Sequence, residues 1–152
     1  MTGRRWIHLI AIGCALLLGA CSSFDRDWKT AARSTNAGSF AGAWDGQWTS
    51  EKHRLPSGEA AGGRLRCIFT PVDAAHYRAR FHANWLIFAT GYEVTFETRQ
   101  RNGALAFRGE HDLGAIFGGV YRYEGRVTPQ HFSATFASSY DHGRFEMHRP
   151  AP

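Results

Sequence analysis

The chain has 152 residues and a mass of 17.0 kDa, which suits one domain and leaves no room for a multidomain enzyme. A hydrophobic fraction of 43% and a charged fraction of 20% exclude a chain that is disordered throughout. The formal net charge is +5, but the basic residues form no long cluster, so nucleic acid is not an expected partner.

The N-terminus has the organisation of an export signal. Arg4 and Arg5 precede an apolar run from Trp6 to Leu18, which is too short to span a bilayer comfortably. The run ends in Leu18-Gly19-Ala20-Cys21, which resembles the lipobox of bacterial lipoproteins. The resemblance implies cleavage after Ala20 and a diacylglycerol on the Cys21 sulfur, with a further acyl chain such as palmitate on the freed amine.

The resemblance also implies a location. Ser22 follows the lipobox cysteine, which in this family implies sorting to the outer membrane, with the body of the protein facing the periplasm. Residues 21–40 are small and polar and predict a lipidated flexible tether. The chain is therefore divided into a signal peptide (1–20), a tether (21–40) and a folded domain (41–150).

The folded domain shows a two-residue period. Apolar and polar residues alternate in runs separated by turn residues, which predicts β-strands with one buried face. The eight predicted strands are approximately 42–51, 62–72, 76–86, 91–100, 104–112, 118–128, 131–140 and 143–149. The opposite face carries charges, which excludes a barrel whose outer wall faces lipid.

Short connections join these strands, and the Asn102-Gly103 pair is a strong hairpin signal. Eight strands joined by hairpins predict an all-β fold, an antiparallel up-and-down meander. Closing the meander into an eight-stranded barrel removes both sheet edges and buries the apolar face.

The predicted barrel resembles the calycins, the class of lipocalin-like and avidin-like barrels. Gly42-Ala43-Trp44 and Gly46-Gln47-Trp48 each match the short Gly-x-Trp signature of lipocalins. The resemblance implies that Arg149, near the end of the last strand, lies over Trp44 and closes the base of the barrel through a cation–π contact.

Apolar residues cluster in two loops at the opposite end of the barrel, at 85–88 and 113–117. With the polar residues 52–63 as a mobile lid, this end could form a ligand-binding mouth. The candidate lining residues are Trp48, Phe81, Trp85, Phe88, Tyr92, Phe117 and Tyr121. The alternative is that the aromatic side chains fill the barrel completely and that the loops contact a protein.

No motif in the sequence carries catalysis. The histidines are scattered without metal-ligand spacing, and no nucleophile motif is present, so neither an enzyme nor a metal or other cofactor is expected. Cys67 has no partner left for a disulfide after processing and is expected to be buried and inert. Three functions remain: binding a small apolar ligand, an envelope protein-interaction or protease-inhibitor role, and a purely structural role.

Overall fold

A computed structural model describes residues 23–34, 38–86 and 88–151, apart from the side chains of Phe88 and Phe117. The predicted signal peptide and the predicted lipidation site, Cys21, lie outside the described residues.

The domain is a closed barrel of eight antiparallel strands in sequence order, as the two-residue period predicted. The strands are β1 (Gly42–Arg54), β2 (Ala60–Pro71), β3 (His76–Trp85), β4 (Phe88–Arg101), β5 (Ala104–Asp112), β6 (Val120–Val127), β7 (His131–Ala137) and β8 (His142–His148). β1 pairs with β8 and closes the barrel. A short 3₁₀ helix (Ala115–Phe117) lies between β5 and β6. The barrel is consistent with a calycin-like fold.

The two residues of the β4–β5 turn suit the backbone conformation of a tight hairpin. Asn102 and Gly103 have φ angles of 50° and 73° and join β4 to β5. Both lie in the left-handed region, which asparagine and glycine tolerate best. The predicted Asn-Gly hairpin is confirmed.

The inward-facing side chains form one aromatic core. Phe69, Phe81, Phe96 and Phe132 are each 0% exposed. Their rings contact one another and their neighbours with centroid separations of 4.5 to 6.4 Å, within the range of favourable ring contacts. Cys67 lies in this core, and burial raises the pKa of its thiol well above the ordinary value.

The base of the barrel is closed by Arg149. Its guanidinium carbon lies 3.8 Å from the centre of the Trp44 ring, so the predicted cation–π contact is present. The same group donates hydrogen bonds to the backbone oxygens of Ser39, Ala41, Ala43 and Pro129. These bonds join the entry to β1, the β6–β7 turn and the end of β8. Burial lowers the pKa of Arg149 from its ordinary value.

Residues 23–33 form a helix, here called α1, within the segment predicted to be a flexible tether. That part of the prediction is wrong, because Phe24, Trp28 and Ala31 recur at helical spacing and give the segment one apolar face. Phe24 is 3% exposed, and the indole N–H of Trp28 donates to the backbone oxygen of Trp44 at 3.1 Å. Packing of this face supplies the stability that so short a helix lacks alone.

α1 covers part of the charged outer wall that was expected to face water. Asp25 pairs with Arg66 of β2 at 2.7 Å, and Asp27 pairs with Arg80 of β3 at 2.9 Å. Phe24 stacks on His82 at 5.0 Å, and His82 is only 9% exposed. Burial, together with the charge of Arg66, holds the pKa of His82 below its ordinary value.

Candidate functional site

Among the candidate lining residues whose side chains the structure describes, Phe81 and Trp48 contact other parts of the barrel. Phe81 is fully buried and stacks on Tyr92 at 5.2 Å, and it also contacts Phe145 at 5.6 Å. Trp48 is half-buried, and its indole N–H donates to the backbone oxygen of Asn84 at 3.0 Å. Rings in mutual contact therefore occupy the interior at these positions.

Tyrosines occupy the upper part of the interior. The ring of Tyr92 stacks on Phe81 at 5.2 Å, and the ring of Tyr121 packs against Tyr123 and Phe136 at 6.4 and 6.0 Å. Burial raises the pKa values of all three phenols above their ordinary values. The three tyrosine rings thus pack within the protein, and their phenols remain neutral at physiological pH.

Trp85, another candidate lining residue, lies at the edge of the barrel. It is the last residue of β3 and is 45% exposed. Strand alternation places it on the inner face, but the wall of the barrel ends there and no longer encloses its side chain. The side chains of Phe88 and Phe117, the other two candidates from the apolar loops, lie outside the described part of the structure.

Trp85 belongs to a set of exposed apolar side chains at one end of the barrel, here called the rim. The rim consists of Trp85 (45% exposed), Leu86 (71%), Ile116 (93%), Val120 (41%) and Tyr140 (57%). They come from the β3–β4, β5–β6 and β7–β8 connections, which antiparallel topology brings to the same end. The sequence drew attention to the first two connections but not to Val120 or Tyr140.

The β1–β2 connection is not the mobile lid that the sequence suggested. Both strands extend into residues 52–63 and leave a short loop, in which the backbone N–H of Leu55 donates to Glu59 and that of Gly58 donates to Leu55. The pairing of β1 with β2 shifts register between Thr49 and Arg54 and resumes where Arg54 pairs with Ala60. A β-hairpin arm therefore stands beside the rim.

Polar contacts fix this arm to the β7–β8 connection. Ser50 is 1% exposed and donates its hydroxyl to Asp141 at 2.7 Å, while it accepts the backbone N–H groups of Lys52 and His53. Lys52 donates to the backbone oxygen of Tyr140 at 2.6 Å, and the ring of His53 stacks on that of Tyr140 at 4.8 Å. The Ser50–Asp141 pair thus acts as a structural clamp that holds Tyr140 in the rim.

A groove of about 650 Å³ lies on the outer wall of β3–β7. Both arginines of the groove are paired, Arg108 with Glu97 at 2.8 Å and Arg122 with Glu110 at 3.7 Å, and Glu124 also lines it. Solvent-exposed pairs of this kind contribute little energy, and they leave the groove without a distinctive charge.

Leu86 is held in an unfavourable backbone conformation. It has a φ of 53°, a region that costs a residue with a branched side chain about 1–2 kcal/mol. Asn102 has nearly the same φ, 50°, in the β4–β5 hairpin. The chain therefore places an exposed leucine at a position where asparagine would be more stable.

We expect Leu86→Asn to stabilise the protein by about 1 kcal/mol, because asparagine tolerates positive φ. The midpoint of thermal unfolding should rise by roughly 3 °C. The matched control is Val72→Asn at the other end of the barrel, where the side chain is 56% exposed and the expected change is within about 0.5 kcal/mol. Scanning calorimetry of both variants tests this, and a lower midpoint for Leu86→Asn would contradict it.

Comparisons with family models, curated proteins and solved structures found no match to this chain. Within residues 23–34, 38–86 and 88–151, no three metal-ligating side chains are grouped to hold an ion. No helix in the same part of the chain has the length and apolar character needed to cross a membrane. The site is therefore characterised by its own geometry: a barrel with an aromatic core and an apolar rim at one end.

Proposed function

We propose that the protein is a lipid-anchored, non-enzymatic protein of the bacterial cell envelope that acts by binding through its rim. The observation that carries the proposal is the contrast between the packed interior of the barrel and its exposed apolar rim. Aromatic rings pack against one another inside the barrel, while Leu86 and Ile116 are 71% and 93% exposed at the rim. Exposed apolar side chains gathered at one end are typical of an interaction surface.

The packing of the interior favours the filled-barrel alternative over a hydrophobic ligand in the mouth. A ligand between Phe81 and Tyr121 would have to displace Phe136 or Phe145, whose ring centroids are 5.2 Å apart. Protein interiors packed in this way resist insertion, because each displaced ring must find new contacts. Interaction with an envelope component, including inhibition of a protease, requires no such displacement.

The lipid anchor is supported by the N-terminal motif. Arg4, Arg5, the apolar run and Leu18-Gly19-Ala20-Cys21 occur in the order and spacing that a lipoprotein signal requires. Two or three acyl chains would anchor the protein stably, whereas a single chain gives only marginal binding. Outer-membrane location, with the barrel facing the periplasm, is proposed from Ser22.

Native mass spectrometry of the full-length product, extracted from the membranes of a two-membrane bacterium, tests both parts. We expect a chain that begins at Cys21 and carries diacylglycerol and an additional acyl group, with no stoichiometric apolar ligand. The Cys21→Ser variant is the control and should lack the modification. An unmodified Cys21 would contradict the anchor, and a co-purifying apolar molecule that also binds the Cys21→Ser variant would contradict the filled barrel.

A further inference from the structure

The helix α1 docks the chain on the barrel wall before the barrel begins. β1 starts at Gly42, at the end of the barrel opposite the rim, and α1 lies against the outer wall of β1–β3. If this segment were a flexible tether, the barrel would be joined to its lipid anchor through the Gly42 end and would be free to lie away from the membrane. Docking of α1 instead holds the chain against the wall formed by β1, β2 and β3.

The contacts of α1 cross from β1 to β3 as its residue numbers fall. Trp28 contacts the backbone of Trp44, Asp27 pairs with Arg80, and Phe24 stacks on His82. Residues 80 and 82 follow one another up β3 towards Trp85. Trp85 is three residues beyond His82, which is about 10 Å at the rise of a β-strand.

The described part of α1 therefore begins at the end that lies against β3. Cys21 is two residues before Ser23, and two residues span at most about 7 Å. Since the hydroxyl of Ser23 lies 3.2 Å from a guanidinium nitrogen of Arg80, the start of α1 is fixed to β3. The point of lipid attachment is thus tied to the wall below Trp85.

We infer that the rim rests on the same bilayer that holds the lipid of Cys21, so that the barrel lies against the membrane surface rather than hanging free of it. The inference rests on the lipid anchor of the proposed function. Because the anchor is attached so close, the effective concentration of bilayer surface at the rim is high. Even a weak contact between the rim and the bilayer is then occupied most of the time.

The chemistry of the rim fits a bilayer surface. Trp85 and Tyr140 are the two residue types enriched where membranes meet water, because each has an apolar ring and a polar group. Leu86 and Ile116 add aliphatic side chains that can enter the region of the acyl chains. Lys52, whose ammonium group lies 5.8 Å from the centre of the Tyr140 ring, lies where it can reach lipid phosphates.

Site-directed spin labelling of the full lipidated protein in vesicles of phosphatidylethanolamine and phosphatidylglycerol tests the inference. Cys67 is buried and the sulfur of Cys21 carries the lipid, so an introduced cysteine takes the label. Leu86→Cys and Ile116→Cys place labels at the rim. Val72→Cys is the matched control, because Val72 is similarly exposed, at 56%, and lies at the other end of the barrel.

Each label collides with oxygen, which is enriched in the bilayer, and with a nickel complex, which stays in water. We expect the ratio of the oxygen collision rate to the nickel collision rate to be roughly threefold or more higher at the rim than at Val72→Cys. The reason is that an interfacial apolar surface enters about 5–10 Å into the membrane. Equal ratios at both ends would overturn the inference, as would rim labels shielded from both reagents, which would show a protein partner instead.

The mass of each labelled protein separates this inference from the proposed function. A protein without lipid on Cys21 would overturn both. A lipidated protein whose rim labels remain in water would overturn the membrane contact alone and leave the anchor intact.

Discussion

Replacing Arg149 with methionine is expected to lower the free energy of unfolding by about 3–5 kcal/mol. The guanidinium donates to the backbone oxygens of four residues and lies 3.8 Å from the centre of the Trp44 ring. Methionine fills part of the volume but donates nothing. Each carbonyl left without a donor costs about 1–3 kcal/mol where water cannot replace the bond, and the ring contact adds about 1–2 kcal/mol.

Urea unfolding followed by far-ultraviolet circular dichroism measures the effect. Arg99→Met, on the exposed outer face of β4, is the control and should change stability by less than about 0.5 kcal/mol. Arg149→Lys should recover only part of the loss, because an ammonium group keeps the charge but not the planar fork of donors. A midpoint for Arg149→Met equal to that of the unsubstituted protein would show that water replaces these bonds.

Most of the barrel was predictable, because a two-residue period of burial is a strong signal in antiparallel strands. The inner positions of β6, Tyr121 and Tyr123, alternate with charged residues along the whole strand, and both are buried. The same rule failed at Trp85, since alternation fixes the direction of a side chain but not the height at which the wall stops enclosing it.

The helix α1 was missed for a different reason. Its apolar face consists of Phe24, Trp28 and Ala31 only, and a signal of three positions is weak beside the many polar residues of the segment. The helix depends on Arg66 and Arg80 of the barrel wall, which pair with its aspartates. Tertiary contacts of this kind are invisible to local periodicity.

The choice between a hollow and a filled barrel could not be made from the sequence either. The number of inward-facing aromatic residues can be counted from the sequence. Whether their rings contact one another depends on strand tilt and on side-chain rotamers. The exposure of Leu86 and Ile116 likewise follows from loop geometry, which the alternation of the strands does not specify.

Phe132→Ala is expected to cost about 3–5 kcal/mol of folding stability and to create a binding site inside the barrel. Phe132 is 0% exposed, and its ring lies 5.0 Å from Phe107, 5.6 Å from Phe69 and 5.8 Å from Trp44. These neighbours belong to different strands and cannot all move into the space. The control Phe132→Leu keeps most of the volume and should cost roughly 1.5 kcal/mol or less.

A small aromatic solute distinguishes a filled from a hollow interior in the same experiment. Benzene should raise the unfolding midpoint of Phe132→Ala, because an apolar cavity lined by rings stays dry and binds such molecules. It should leave the midpoint of the unsubstituted protein unchanged, since its inward-facing rings already contact one another. Equal stabilisation of both proteins would mean that the natural barrel already contains an apolar cavity, and would return the interior to consideration as the binding site.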